Sequence, residues 1–392
     1  MTAARLPQPL PGRVLALGAY LKNAACAVDG ADLRWSANHG DLGDPAACLA
    51  LEASAERLLD ALPDGPQTIA HDLHPDFHST RLAQALADRL GVPALAVQHH
   101  HAHLAVVAAE HGVVDEPLVG WALDGVGLGS DGSAWGGELL WLDAASRSTA
   151  WRRLAHLPAL ALPGGDRAAR EPWRMAAALL HALGRGDEIV PRLGPSAGEA
   201  AAATVQRMLA RGLNCPRTTA GGRWFDAAAA ALGVHRGVQA EAEAAIALEA
   251  EAARWLATQP APAAAGPRGA QGPLDALPAA VGALFDVAAA RRGEAAARFH
   301  ALLADALAGA AIAAARAQGA RLVALGGGCF FNRVLSQRVE ATLRDAGLRV
   351  LRPGAAGCGD AGLALGQAWI AAWARQHGQL TEPVPDAALL GT

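Results

Sequence analysis

Short apolar segments alternate with longer helical segments along most of this chain, and this alternation limits the folds it can adopt. Strand-length apolar runs are predicted at 14–18, 68–71, 94–97, 118–123, 321–325 and 349–351. Helical spacing of leucine and alanine follows several of these runs. The run at 136–142 is predicted to pair with 118–123 as a hairpin. Together these patterns predict an α/β fold with a mixed sheet.

Composition limits how such a fold can build its core. The chain has 392 residues, enough for two to three domains or one two-lobed enzyme. Hydrophobic residues make up 52% and aromatic residues only 4%. Much of the apolar fraction is alanine, which buries little area per residue. The core must therefore depend on closely packed helices.

Charge, cysteine content and hydropathy exclude several classes of protein. The net charge of −4 comes without a basic stripe, so we expect no nucleic-acid binding. The five cysteines form no C-x-x-C pair, which argues against a zinc ribbon or a disulfide framework. The apolar run 14–21 is too short for a signal peptide, and no apolar run reaches membrane-spanning length without a charge or a glycine-rich break. We therefore expect a cytoplasmic protein without membrane contact.

Shifts in composition divide the chain into four parts. Residues 1–12 are predicted to be a leader. An N-terminal lobe is predicted over 13–148 and a C-terminal lobe over 149–380. Within the second lobe, 260–272 is rich in proline, glycine and alanine and is predicted to be an exposed loop. Residues 381–392 are predicted to be a tail.

The histidines of the segment QHHHAH begin a helix directly after a predicted strand. His99 and His103 are four residues apart, so both imidazoles can reach one metal ion. A pair at this spacing also occurs in helix starts whose histidines are only solvated. By itself the pair supports a possible metal site.

Two aspartates strengthen the metal hypothesis. Asp124 ends a predicted strand and is followed by a glycine-rich turn, and Asp360 precedes the closing helix in the segment GCGDAG. Carboxylates at strand ends point into the crevice where α/β proteins bind ligands. Two histidines and two carboxylates suit Fe(II) or Zn(II). Without the histidines, a turn or helix-capping role would be preferred for both aspartates.

Two glycine-rich turns suggest a nucleotide site. They supply Gly125 and Gly127 in one half of the chain, and Gly326, Gly327, Gly328 and the nearby Asn332 in the other. Backbone amides freed by glycine can hold a phosphate or approach an adenosine closely. Neither turn is a P-loop or a dinucleotide fingerprint. We predict a nucleotide in a cleft between two lobes.

Two further polar segments leave alternatives open. The segment HDLHPD at 71–76 is either a functional loop or a solvated turn before a helix. Asp226, in the segment GGRWFD, either binds a ribose or is an acid at a helix N-terminus.

The order of these motifs resembles one family. They are LKN at 21–23, HDLHPD at 71–76, VQHHHAHL at 97–104, LDGVGLG at 123–129, LPGGDR at 162–167, GGGCFFNR at 326–333 and GCGDAG at 357–362. Together they resemble the C-terminal, Kae1-like carbamoyltransferase region of HypF, which acts in [NiFe]-hydrogenase maturation. The resemblance extends from about Val14 to about Ala374.

The resemblance implies a fold, a site and a reaction. The implied fold is two-lobed, of the actin-like or sugar-kinase type (ASKHA, RNase H-like), with an interlobe cleft. A metal is implied at His99, His103, Asp124 and Asp360, with the adenosine part of carbamoyl-adenylate bound by the glycine turns. Carbamoyl-adenylate, derived from carbamoyl phosphate and ATP, would give its carbamoyl group to the C-terminal cysteine thiol of HypE. We also predict catalytic roles for Lys22, Asn23 and Asp131 on this basis.

The chain departs from the family in two respects. The acylphosphatase-like, zinc-finger and adenylate-forming regions that precede this region in full-length members are missing. We therefore expect a separate adenylate-forming protein, or reduced chemistry such as hydrolysis of carbamoyl phosphate or carbamoyl-adenylate. The family pattern YEGQAA is AEAEAA at 240–245, which affects one wall of the nucleotide site. A non-catalytic scaffold that docks HypE and a tRNA-modifying relative are the remaining alternatives.

Overall fold

A computed structural model describes residues 1–147, 149–235, 237, 240–263 and 274–379. Its first part contains β1 (Thr2–Arg5), β2 (Arg13–Ala16), β3 (Cys26–Asp29), β4 (Asp32–Trp35), α1 (Pro45–Asp60), β5 (Thr68–Asp72), α2 (His78–Leu90), β6 (Ala94–Val97) and α3 (His99–His111). The strands predicted at 14–18, 68–71 and 94–97 and the helix predicted at the histidines are confirmed by β2, β5, β6 and α3, whereas β1 and β4 were not predicted.

The second part adds strands and most of the helices. It contains β7 (Leu118–Leu128), β8 (Ala134–Leu142), β9 (Trp151–His156), β10 (Leu160–Ala161), α4 (Arg167–Arg170), α5 (Pro172–Ala182), α6 (Ile189–Ala197), α7 (Glu199–Arg211), β11 (Arg217–Thr218), α8 (Gly221–Ala231), α9 (Glu243–Leu256), α10 (Leu277–Gly282), α11 (Arg292–Gln318), β12 (Leu322–Gly326), α12 (Arg333–Asp345), β13 (Arg349–Leu351) and α13 (Leu363–Gln376). Short 3-10 turns at Gly328–Phe331 and Asp360–Gly362 lie beside the strand ends.

The two sheets repeat one topology. The first has the order β1-β4-β3-β2-β5-β6, and the second the order β10-β11-β8-β7-β12-β13 with β9 paired to β8. In each, three antiparallel strands (β2–β3–β4 and β7–β8–β9) are followed by two strands parallel to the first of them. This is the two-lobed α/β fold of the actin-like type that the resemblance implied.

The helices that follow the sheets exchange sides. Helix α3 follows the first sheet but packs on β7 and β12 of the second, and α13 follows the second sheet but packs on β2 and β5 of the first. The two helices also pack on each other. One apolar core consequently extends from Val14 and Val28 through Leu104 to Leu322 and Trp369. This shared core joins the two lobes.

The predicted domain limits differ from the sheet boundaries. Residues 2–5, predicted as part of a leader, form an edge strand whose backbone pairs with β4. Both β7 and β8 belong to the second sheet, so by sheet membership the division lies between 111 and 118, whereas the sequence placed it at 148. The predicted tail 381–392 and most of the predicted loop 260–272 lie outside the described residues.

The apolar character of the long helix α11 is explained by its burial in the core. Residues 289–318 are long and apolar enough to cross a membrane, and they are the single stretch of that kind within the described ranges. However, 67% of the most apolar window is buried inside the fold. Its alanines and leucines therefore face neighbouring helices, which is the packing expected from the alanine-rich composition.

Close contact between α3 and α13 gives a testable prediction. A methyl group added to Gly366 on α13 would collide with the carbonyl oxygen of Ala102 on α3, a backbone atom that cannot rotate away as a flexible side chain can. We expect Gly366→Ala to lower the free energy of unfolding by about 1–3 kcal/mol, as overpacking does in other cores, measured by urea denaturation.

Gly186→Ala is the control, because its added methyl group would meet only His181 Nδ1 at 3.6 Å. Equal stability of the two variants would contradict the close helix crossing.

Candidate metal centre and interlobe cleft

The metal-binding histidines predicted from the sequence lie at the start of α3. Gln98 caps this helix: its Oε1 accepts hydrogen bonds from the His100 and His101 amides at 2.6 and 2.9 Å. The Gln98 Nε2 donates to the Leu128 carbonyl oxygen at 2.9 Å, which ties the helix start to the end of β7. His99 and His103 therefore face the end of β7, one helical turn apart.

Four donor groups converge at this point. His103 Nε2 lies 3.0 Å from Asp124 Oδ2 and 3.5 Å from Asp360 Oδ1. His99 Nε2 lies 3.4 Å from Asp124 Oδ2 and 3.7 Å from Asp360 Oδ1. One ligand atom from each residue falls within 4.8 Å of all the others. Ligands about 2.0–2.2 Å from one ion lie about 3–3.6 Å apart, so the donor set fits a transition metal.

Backbone contacts hold the two carboxylates in place. Asp124 Oδ1 accepts hydrogen bonds from the Gly125 amide at 2.8 Å and the Gly328 amide at 3.2 Å, which leaves Oδ2 facing the histidines. The loop before Asp360 is held by Glu110 of α3, whose carboxylate accepts from the amides of Gly354 and Ala356. Helix α3 therefore contributes to positioning Asp360 as well as the histidines.

The charges around the centre favour a protonated His99 and an ionised Asp124. Burial alone would lower the pKa of His99, but the carboxylates of Asp72, Asp124 and Asp360 outweigh it and hold that pKa well above its usual range. Burial alone would raise the pKa of Asp124, but hydrogen bonds from His103 and His99 hold it well below its usual range. Three carboxylates thus face two imidazoles, and a bound cation that replaces the histidine protons would balance their charge.

A third carboxylate contacts the centre from the first sheet. Asp72 ends β5, and its Oδ2 lies 2.7 Å from His99 Nδ1. Both side chains are buried, at 0% and 3% exposure. Asp72 belongs to the segment HDLHPD, for which the sequence left a functional and a structural interpretation open. Asp72 ends β5, and His99 comes two residues after the end of β6. Because β5 and β6 are adjacent parallel strands, their carboxyl ends lie at the same edge of the sheet and the two side chains meet there.

Another histidine lies beside the predicted ligands. His100 is fully buried; its Nδ1 accepts from Gln98 Nε2 at 3.1 Å, while its Nε2 has no hydrogen-bond partner among the described residues. Burial, together with the neighbouring His99 and His103, holds the pKa of His100 well below its usual range. It is therefore a neutral neighbour of the centre that sequence spacing did not point to.

The glycines predicted to hold a nucleotide separate into two groups. Side chains at Gly127, Gly326 or Gly327 would collide with the His99 ring, the His103 carbonyl oxygen or the Leu123 backbone, so these three glycines are needed for close packing. A side chain at Gly125 would meet nothing, and one at Gly328 would meet only Asp124. Gly125 and Gly328 lie at the cleft, where their amides bond Asp124. Nucleotide binding by these glycines stays a prediction.

Asp226, predicted either to bind a ribose or to be an acid at a helix N-terminus, lies in α8. Its Oδ2 forms an ion pair with Arg223 Nε at 2.8 Å in the first turns of α8, where Asp226 is buried and Arg223 is partly buried. Burial raises the pKa of Cys329, and the charges of Asp124, Arg223 and Asp226 all act on that thiol. Arg223 follows Gly222, at which an added Cβ atom would lie 3.2 Å from Gly125 Cα and 3.8 Å from the Asp124 carbonyl oxygen. The sequence interpretation did not single out Arg223, although it stands in the same segment as Asp226.

Both polar atoms of the Asn332 side chain already form contacts within the protein. Its Oδ1 accepts from the Leu335 amide at 2.9 Å, which caps α12, and its Nδ2 lies 3.0 Å from His300 Nε2. His300 Nδ1 is bonded to the Ala296 carbonyl oxygen at 2.8 Å. The amide of Asn332 is thus already engaged, and its role toward a nucleotide stays a prediction.

The residues predicted to be catalytic lie in three different settings. Asn23 is buried and donates to the carbonyl oxygens of Leu17 and Ala19, so it shapes the turn between β2 and β3. Lys22, with a left-handed backbone (φ 46°), extends from this turn to Glu241, 2.9 Å away. This ion pair links the turn of the first lobe to the segment that precedes α9 in the second.

Asp131 lies in the hairpin between β7 and β8. It accepts hydrogen bonds from the Ser133 amide, the Ser133 hydroxyl and Trp135 Nε1. Burial alone would raise the pKa of Asp131, but these bonds and the nearby Arg153 lower it. Asp131 is therefore a stable carboxylate rather than a proton acceptor tuned to neutral pH.

The structure thus brings together the four predicted metal ligands, with Asp72 and His100 added to them. Both sheets contribute here: Asp72 ends β5 and Gln98 follows β6, while Asp124 lies in β7 where its pairing with β8 is interrupted and Gly328 follows β12. The expectation that Asp124 ends a strand is thus wrong, because β7 continues to Leu128. Within the described residues, Asn23, Lys22 and Asp131 form no hydrogen bond or ion pair with the four ligands. Their catalytic roles stay predictions.

Two family models match this sequence. The model described as "HypF Kae1-like domain" matches residues 10–110. The model described as "Carbamoyltransferase, Kae1-like Domain, second subdomain" matches residues 120–367. A Cupriavidus necator protein named carbamoyltransferase HypF homolog is 58% identical, over 92% of this chain and 91% of its own length. Carbamoyltransferase HypF2 of that organism is 47% identical, over 91% of this chain and 46% of its own length. This chain thus spans nearly all of one relative and about half of the other.

Solved structures agree with these matches. A full-length HypF in the phosphate- and nucleotide-bound form superposes with a TM-score of 0.82 at 28% identity, over 94% of this chain and 47% of that one. The HypF of T. kodakarensis also gives a TM-score of 0.82, at 29% identity, over 97% of this chain and 49% of that one.

Strain at the start of α9 gives a prediction for the position where the sequence departs from its family. Ala242 has a left-handed backbone (φ 62°, ψ 10°), which is costly for a residue with a Cβ atom. We expect Ala242→Gly to raise the free energy of unfolding by about 1 kcal/mol, measured by urea denaturation. Ala240→Gly, at a position without positive φ, should give no such gain. An equal effect at both positions would contradict the strain.

The buried His300 gives a pH prediction. Burial lowers the pKa of His300 to about 4, whereas an unfolded histidine has a pKa of about 6.5. Above pH 6.5 both states are neutral and stability is complete. Below it the unfolded state binds the proton first, so up to about 3 kcal/mol is lost as the pH falls toward 4.

We therefore expect His300→Gln, whose amide oxygen can still accept from Asn332, to lose less stability than the wild type between pH 7 and 4.5. His377→Gln, at an exposed position, is the control. Parallel pH profiles for wild type and His300→Gln would contradict the prediction.

Proposed function

This chain belongs to the HypF carbamoyltransferase family, and from that we propose that it transfers a carbamoyl group during [NiFe]-hydrogenase maturation. The donor is carbamoyl-adenylate, derived from carbamoyl phosphate and ATP. The acceptor is the C-terminal cysteine thiol of HypE. The observation that carries this proposal is the convergence of His99, His103, Asp124 and Asp360 where residues of both lobes meet. A phosphate- and nucleotide-bound HypF of the same fold supports the nucleotide part.

The donor set fits Fe(II) or Zn(II), and these four residues would hold the ion. When bound, the metal would polarise the carbamoyl carbonyl or the neighbouring phosphate oxygens. The choice between the two metals is left to measurement, because imidazole and carboxylate ligands suit both.

The remaining residues orient the donor and balance its charge. Arg223, near Asp124 and Asp226, is the cation placed to face the adenylate phosphate. Gly125 leaves space for close approach of the ligand, since nothing stands where its side chain would be. Lys22 lies at the rim, where an anionic ligand competes with Glu241 for its ammonium group. These groups act by positioning and electrostatics, so no covalent nucleophile of this chain is required.

The transfer itself balances without any other reactant. The HypE thiol sulfur forms a bond to the carbamoyl carbon, and the bond from that carbon to the adenylate phosphate oxygen breaks. AMP leaves, and the thiol proton passes to solvent. Cys329 and Cys358 take no part, because burial raises the pKa of the Cys329 thiol and Cys358 is buried beside Arg352.

Formation of carbamoyl-adenylate is a separate question. Both family models that match this chain describe Kae1-like subdomains, so we propose that a distinct adenylate-forming protein or region supplies the intermediate. We further propose that the protein works in the cytoplasm, on these small molecules and HypE, without nucleic acid.

The proposal predicts that metal and activity disappear together. We expect His99→Ala and His103→Ala to lose the bound metal and to lower carbamoyl transfer at least 100-fold, because each removes a ligand. The protein is incubated with HypE, carbamoyl phosphate and ATP, with and without a full-length HypF whose own transfer histidines are replaced. The mass of HypE then reports the carbamoyl adduct. His181→Ala, at an exposed position of α5, is the control.

The alternatives are distinct outcomes of the same assay. Release of phosphate or AMP without a HypE adduct would show hydrolysis instead of transfer. HypE binding without metal or turnover would show a scaffold. Absence of both metal and adenine nucleotide binding would refute the proposal.

A further inference from the structure

We propose that Asp72 is a positioning residue of the metal centre, which orients the His99 ring and selects the tautomer that can bind a metal. The inference rests on the metal site proposed above. It gives a role to the segment HDLHPD, for which the sequence left two interpretations open.

The contact between the two side chains carries the proposal. Asp72 Oδ2 lies 2.7 Å from His99 Nδ1, and both side chains are almost fully buried. A carboxylate only accepts hydrogen bonds, so the ring must carry its hydrogen on Nδ1. Nε2 is then the nitrogen that faces Asp124 and Asp360, and it is the one that would exchange its proton for a metal. Ligating histidines commonly hold their second nitrogen in this way.

The backbone around Asp72 fixes its carboxylate. The Leu73 amide donates to the Val97 carbonyl oxygen at 2.9 Å, which keeps the end of β5 beside the strand that leads into α3. The Asp72 carbonyl oxygen accepts from Thr80 Oγ1 at 3.2 Å. Its Oδ1 accepts from the His74 amide at 2.9 Å. One oxygen thus closes the turn while the other is left for His99.

This division of the two oxygens makes Asp72→Asn informative. The Asn side chain has one oxygen and one NH₂ group, and the His74 amide requires the oxygen. The NH₂ group would then face His99 Nδ1 and act as a donor. His99 would have to accept at Nδ1 and carry its hydrogen on Nε2, where it blocks a metal. Asp72→Asn should therefore be at least as harmful as Asp72→Ala.

The test measures Zn²⁺ affinity by competition with a chelator. We expect the wild-type chain to bind one Zn²⁺, and Asp72→Asn and Asp72→Ala to bind it about 10–100-fold more weakly. Asp76→Asn is the matched control, because Asp76 lies in the same segment but is exposed (76%) and paired with Arg81. It should bind Zn²⁺ like the wild type.

A second measurement separates positioning from a merely structural role. Thermal unfolding in the presence of chelator should show that Asp72→Asn is folded and unfolds in a single cooperative transition, since the two side chains are isosteric. NMR of histidine-labelled protein should show a hydrogen-bonded His99 Nδ1–H proton in the wild type and its loss in both variants. If Asp72→Asn is unfolded without metal, or binds Zn²⁺ normally, the proposal is overturned.

Combination with His99→Ala completes the test. If Asp72 acts through His99, Asp72→Ala should weaken Zn²⁺ binding no further in the His99→Ala background. Additive losses would overturn the proposal. Failure of the wild type to bind Zn²⁺ would instead remove the proposed metal function, while the His99 proton resonance would still report the contact with Asp72.

Discussion

The close packing of α3 between the two sheets is the constraint on which the rest of this structure depends. Every residue from His99 to Ala109 is buried, so neighbouring backbones must approach the helix from several sides. Glycines permit this at Gly127, Gly326 and Gly366, where an added methyl group would meet α3 itself. Part of the glycine content that resembles a phosphate-binding signature is therefore explained by helix packing. The same packing leaves the imidazoles little freedom, which favours pre-organised metal ligands.

The exchange of α3 and α13 between the sheets explains how distant parts of the sequence meet. Gln367 of α13 exchanges hydrogen bonds with the backbone of Gly18 at the end of β2. Near the C-terminus of α3, the Glu110 carboxylate accepts hydrogen bonds from the loop that leads to Asp360. The helix that carries two proposed ligands thus also fixes the loop that carries a third. Disturbance of this pair of helices should affect stability and the centre together.

The two lobes also meet through charges at the rim of the cleft. Lys22 and Glu241 are both about half exposed, so their attraction is screened and modest. The partner of Lys22 lies next to Ala242, whose strained backbone marks the departure from the family pattern. A weak pair beside a strained turn can give way to an anionic ligand at little cost. This contrasts with the buried contact of Asp72 and His99, which has no solvent to replace it.

Local patterns in the sequence determined the elements and half of the centre. Apolar runs predicted the strands, and the i, i+4 spacing of His99 and His103 placed both rings on one side of a helix. The positions of Asp124 after an apolar run and of Asp360 before the closing helix suggested that they join those rings, and the family resemblance implied the same set. Nucleotide roles for Gly127 and Asn332 were proposed where the structure shows packing and capping contacts. Only the tertiary structure decided the pairing of Asp72 with His99, the bonding of Asp124 to both glycine turns and the sheet to which β7 belongs. The reason is that a local repeat specifies the direction of a side chain within its element, whereas its partner depends on strand order and helix exchange.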